Sequence, residues 1–144
     1  MYMDEYLYGL NNVCVFTSLL FITNIIISYH YGNYIYVFLF SCLLTTSVIF
    51  HYTQNEVLRI IDKIFVYLIV IYGGYLVFNK SVCDCNSIEY FCIFVIIVTF
   101  LACAILYMSG IADIPFNFCG IYGKHCHGLI HFCASLGHNL IAIL

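Results

Sequence analysis

Five stretches of the chain, residues 13–29, 34–51, 56–78, 89–108 and 126–144, are close to continuously apolar. Each is near the roughly 20 residues that an α-helix needs to cross the hydrocarbon core of a bilayer. The runs do not alternate between polar and apolar residues, as the strands of a membrane barrel would. A segment surrounded by lipid must satisfy its backbone internally, which leaves helices as the remaining choice. The chain is therefore expected to be all-α, a polytopic transmembrane helix bundle of about five spans. No repeat or low-complexity linker divides it, so residues 1–144 read as a single domain.

Composition supports this reading. Hydrophobic residues make up 65% of the chain and charged residues 8%, and mean hydropathy is +1.05. Soluble domains carry about 25% charged residues, so a water-soluble fold of this size would lack the charges to cover its surface. The expected location is an integral, multi-pass membrane protein, with the bilayer itself as a partner. The formal net charge of −3 offers no basic surface and excludes a nucleic-acid partner. The N-terminal MYMDEYLYG is acidic where a secretory signal starts basic, so the first span is expected to be retained. Most of the nine cysteines lie within apolar runs, where Cys behaves as a small hydrophobe. Cys83, Cys85, Cys119 and Cys126 lie near connectors, where a disulfide is open to them.

The connectors are short except at 109–125, which holds the single Pro and three Gly and reads as a loop. The last span is marginally apolar, with His127, His131, Ser135, His138 and Asn139. Such a span persists only where it faces protein rather than lipid. Thr53-Gln-Asn-Glu56 has the pattern of a capping box that starts the third helix. His51 then lies near the end of the second span, and Asp62 about two turns into the third.

An Asp at mid-bilayer costs roughly 2.5 to 3.5 kcal/mol on insertion scales, so Asp62 needs a reason. Ser47 and His51 are four apart and share a helix face, as do His127 and His131. An i, i+4 His pair on one helix is a common way to present two metal ligands. Alternation of the spans puts the end of span two and the starts of spans three and five at the same membrane face. His51, Asp62, His127 and His131 therefore fall at similar depth, and one helix more or fewer would separate them. Three neutral imidazoles and a water make a catalytic zinc site. Zinc lowers the pKa of bound water from 15.7 to about 7. Asp62 would then act as general base and later as acid, and Ser47 would stabilise an oxyanion or orient a ligand. His30, His125 and His138 read as structural. His138 shares a face with His131 but lies about 10 Å deeper at 1.5 Å per residue. Against the functional reading, Asp62 has Arg59 three residues back as an ion-pair partner, and a lone Ser in a helix usually bonds back to its own backbone.

Taken together, Ser47-x3-His51, the ten residues to Asp62, and His127-x3-His131 resemble the CREST superfamily of membrane hydrolases. That superfamily includes the alkaline ceramidases, the progestin and adipoQ receptors and the Per1-like GPI-remodelling proteins. The resemblance implies Zn2+ held by His51, His127 and His131, with Ser47 and Asp62 completing a site that cleaves a lipid amide or ester. The family has seven spans and this chain has about five. The two absent spans preserve the parity of the site-bearing helices but remove part of the wall around a lipid chain, which a homodimer or lipid would replace.

The leading expectation is a zinc-dependent intramembrane hydrolase, ceramidase-like in its site, cleaving a membrane lipid substrate. The alternatives are a receptor-like or structural membrane protein whose zinc only staples helices, and a haem-binding membrane protein with His axial ligands.

Overall fold

The structure, a computed structural model, describes residues 13–82, 85–109 and 123–144. The acidic N-terminal segment, most of the 109–125 connector, Cys83 and Cys119 lie outside the described residues. The helices are α1 (Phe21–His30), α2 (Tyr34–Thr53), α3 (Glu56–Val82), α4 (Ser87–Ser109) and α5 (Gly123–Ile143). Residues 13–18 are also helical and run into α1 through a turn. Among the described residues, five segments are long and apolar enough to cross a membrane: Val13–His30, Tyr34–Thr53, Glu56–Val82, Ser87–Met108 and His125–Ile143. The fold is an all-α bundle, as the apolar runs require.

The irregular stretch before α1 has a local cause. Thr17 donates its hydroxyl to the carbonyls of Val13 and Cys14 at 2.9 and 3.2 Å, and Ser18 donates to Cys14 at 2.8 Å. Hydroxyls bonded back to the preceding turn compete with the regular ladder and bend helices. Leu19 and Leu20 accordingly bond three residues back, to Phe16 and Thr17, rather than four.

The start of α3 differs from the sequence expectation. Thr53 is still the last residue of α2, and its hydroxyl is committed to the Ile49 carbonyl at 2.8 Å. Asn55 caps α3 instead, accepting from the amides of Val57 and Leu58 at 2.9 and 3.3 Å. Between the two helices Gln54 takes a left-handed conformation at φ 55°, and its side chain donates to the His51 carbonyl at 2.8 Å. The reciprocal capping box lies at α4. Asn86 accepts from the amides of Ile88 and Glu89, and Glu89 accepts from the Asn86 amide at 2.9 Å. Lys80 on α3 pairs with Glu89 at 2.6 Å, which ties the α3–α4 turn.

Packing runs in the order α3, α2, α1, α5, α4. The main interfaces are α2 with α3, α1 with α2, α1 with α5, and α4 with α5. Consecutive α3 and α4 meet only marginally, so the arc is open on that side. Enclosure follows polarity. The last span has the lowest mean hydropathy, 1.2, and the largest buried share, whereas Ser87–Met108 has the highest, 2.8, and lies mostly at the apolar exterior. A helix carrying several polar side chains is stable in an apolar surround only when protein covers them.

The core is built on Phe21, Tyr36, Phe40, Leu43, Ile69, Ile96 and Ile141. A polar seam joins α1 to α5. Asn24 donates to the Ser135 carbonyl and to Asn139 Oδ1, and accepts from the Ser135 hydroxyl at 2.7 Å.

Candidate metal centre

Two helix ends converge at one end of the bundle and bring three histidines together. The last turn of α2 supplies His51, and the first turns of α5 supply His127 and His131. One ligating atom from each of the three lies within 4.8 Å of the others. The ring centroids are 4.7 Å apart for His127 and His131, 5.0 Å for His51 and His127, and 5.4 Å for His51 and His131. The parity argument from the sequence placed these three histidines near one face, and the structure has them together at one end. His51 and His131 are only 5% and 6% exposed, so bulk water is largely kept from their rings.

The set fits a metal on two counts. Three imidazole nitrogens around a tetrahedral zinc, at about 2.0–2.1 Å from it, stand about 3.3 Å apart, and the three here already lie within 4.8 Å of one another. His127 Nε2 is also buried without a hydrogen-bond partner. A buried unsatisfied nitrogen costs about 1–3 kcal/mol, and a metal bond would remove that cost.

Chemically, the cluster could hold a metal ion; compared with known protein families, curated proteins and solved structures, the chain matches none.

Ser47 lies one turn before His51 and is 1% exposed. Its hydroxyl is 3.1 Å from that of Ser18, whose own proton goes to the Cys14 carbonyl. Ser47 also neighbours the Asp62 carboxylate. Its single proton can serve Ser18 or Asp62, one at a time. Asp62 accepts from Thr46 on α2 at 3.3 Å. Arg59 turns away from it and pairs with Glu56. The alternative of an Asp62–Arg59 ion pair is therefore not what the structure shows, and neutral hydroxyls from α2 contact the carboxylate instead.

His138 is not part of the cluster. Its Nδ1 lies 2.9 Å from the Tyr36 hydroxyl, and its ring packs edge-on against Phe40 and Phe100. His30 and His125 are exposed. Of the cysteines near connectors, Cys85 is a free thiol and Cys126 is disulfide-bonded.

Sequence reasoning missed the residues behind the three histidines. Thr17 Oγ1 is 3.0 Å from His131 Nδ1, and the Phe21 ring lies 5.3 Å from the His131 ring. A signal for this face existed. Cys14, Ser18, Phe21, Asn24 and Ser28 recur every three or four residues in the first span, and all five are buried. Small polar residues at helical spacing within an apolar span mark the side that meets protein.

Proposed function

We propose that this chain is a multi-pass integral membrane protein and a zinc-dependent hydrolase that cleaves a lipid amide or ester within the bilayer. The observation that carries this reading is the meeting of His51, His127 and His131 within 4.8 Å, next to a helix turn that contacts Asp62. The resemblance of these residues and Ser47 to the CREST pattern points the same way.

His51, His127 and His131 would hold the metal. Zinc bound there would supply a Lewis acid for the scissile carbonyl and a water acidic enough to react at neutral pH. The remaining work falls to the protein. The Asp62 carboxylate takes a proton from the attacking water and returns it to the leaving amine or alcohol. Thr46 holds the carboxylate in place through its hydrogen bond. Ser47, with a proton it can redirect from Ser18, donates to the oxygen that gains charge. The loosely packed α3–α4 side offers a lipid a lateral approach without leaving the apolar phase.

Metal content of the purified protein tests this directly. Elemental mass spectrometry should find about one zinc per chain in the wild type and a marked loss in His127→Ala. Well-folded wild-type protein without zinc would sink the reading.

A further inference from the structure

We infer that Thr17, on the first span, is a positioning residue that holds His131 as the tautomer protonated on Nδ1, so that the ring presents Nε2 to the metal. The second half rests on the metal reading above; the first half does not.

The argument is one of proton counting. A threonine hydroxyl has a single proton and two acceptor lone pairs. Thr17 Oγ1 lies 2.9 Å from the Val13 carbonyl oxygen and 3.2 Å from that of Cys14. Carbonyl oxygens only accept, so the proton belongs to them. Turning it to the imidazole would set lone pair against lone pair at hydrogen-bond distance, and it is not needed there. A carboxylate cannot donate and so draws the Thr46 proton away from the Cys42 and Leu43 carbonyls, whereas an imidazole can supply the proton itself. Towards His131 Nδ1, 3.0 Å away, the hydroxyl can then only accept. The shared proton is therefore the imidazole's, on Nδ1, and Nε2 keeps the lone pair. A metal-bound histidine nearly always donates its other ring N–H in this way, which fixes tautomer and orientation together.

An independent feature brings Thr17 within reach. Gly128 stands one turn before His131 on α5. A Cβ there would lie 3.3 Å from Thr17 Cγ2, 3.5 Å from Thr17 Oγ1 and 3.4 Å from Val13 Cγ1. The bare glycine lets α5 approach the Val13–Thr17 turn closely enough for the bond to form. Phe21, one turn after Thr17, packs on the same imidazole and limits its rotation.

The test uses the full-length protein in detergent, with 15N in its histidines. With zinc stripped, long-range proton–nitrogen correlation should show His131, assigned by its loss in His131→Gln, protonated on Nδ1. Thr17→Val, close in shape but unable to accept, should lose that preference and weaken zinc binding by about 10- to 100-fold. Thr17→Ser should restore both. A wild-type His131 protonated on Nε2 overturns the inference, and needs no variant to fold. So does a folded Thr17→Val protein that keeps the Nδ1 tautomer or binds zinc within about twofold of wild type. If wild-type protein binds no zinc, the hydrolase reading fails by itself, and the tautomer measurement still decides the role of Thr17.

Discussion

Thr46 on α2 donates its hydroxyl to the Asp62 carboxylate on α3 at 3.3 Å. The nearest candidate cation on the same helix face, Arg59, is held by Glu56 at the outer turn. Asp62 is therefore kept by a neutral donor rather than neutralised by a charge. A carboxylate there to fasten helices would gain more from the arginine one turn away. One contacted by hydroxyls remains free to exchange a proton.

Under the proposed hydrolase reading Asp62 is a working carboxylate rather than a structural one, and a single substitution tells the two apart. Asp62→Asn retains shape and the ability to accept from Thr46, but cannot take up a proton. Lipid amide or ester hydrolysis should fall by about 100-fold or more, with zinc content and thermal stability close to wild type. Unchanged turnover in Asp62→Asn would remove Asp62 from the chemistry. Unchanged turnover in both Asp62→Asn and Ser47→Ala would favour a metal that only staples helices.

Metal removal should also be visible in stability. A ligand that binds only the folded state, present at about 100 times its dissociation constant, stabilises by about 2.7 kcal/mol. At about 2–4 °C per kcal/mol for a chain of this order of size, chelation should lower Tm by about 5–10 °C, and added zinc should restore it. Thermal melts with and without chelator check this. His127→Ala should melt at the lower temperature and no longer respond to zinc.

The bundle and its site end were legible because both rest on periodicities. Apolar run length marks the spans, and counting them places His51, Asp62, His127 and His131 at one end. The i, i+4 spacing of His127 and His131 states their common face. What escaped the sequence depends on which of several equivalent groups wins a partner. Thr53 and Asn55 can each cap α3 by composition, and the outcome turned on Thr53 bonding back to Ile49. Thr17 and Thr46 look like any hydroxyl residue in an apolar helix until packing sets one against His131 and the other against Asp62. The open side between α3 and α4 escaped too, since neighbours in sequence joined by a short turn ordinarily pack together.

The seam between α1 and α5 should prove a main source of tertiary stability. Asn24 makes three of its bonds to Ser135 and Asn139 while fully buried. Hydrogen bonds between helices in bilayers average about 0.6 kcal/mol and reach about 1.7. Asn24→Leu, near in volume and unable to bond, should therefore cost about 1–2 kcal/mol. Unfolding in mixed micelles of rising denaturing detergent would measure it. Because Phe21 and Thr17 lie on the same helical face as Asn24, the variant should also weaken zinc binding at a distance. Unchanged stability would mean that apolar packing alone seats α1.

Gly73 and Gly74, adjacent on α3, offer a paired test of how the bundle's centre is assembled. A Cβ on Gly73 would run into the Tyr36 hydroxyl and come within 3.1 Å of His138 Cε1, whereas one on Gly74 would meet nothing within 4 Å. Neither obstacle can step aside. Tyr36 is fully buried, and its hydroxyl is bonded to His138 at 2.9 Å. His138 is in turn packed between Phe40 and Phe100. Overfilling such a site typically costs about 1–3 kcal/mol, so Gly73→Ala should lower Tm. Gly74→Ala should leave it unchanged or raise it slightly, since alanine is the better helix former. Equal effects of the two substitutions in parallel melts would show that α3 does not seat on the Tyr36–His138 pair.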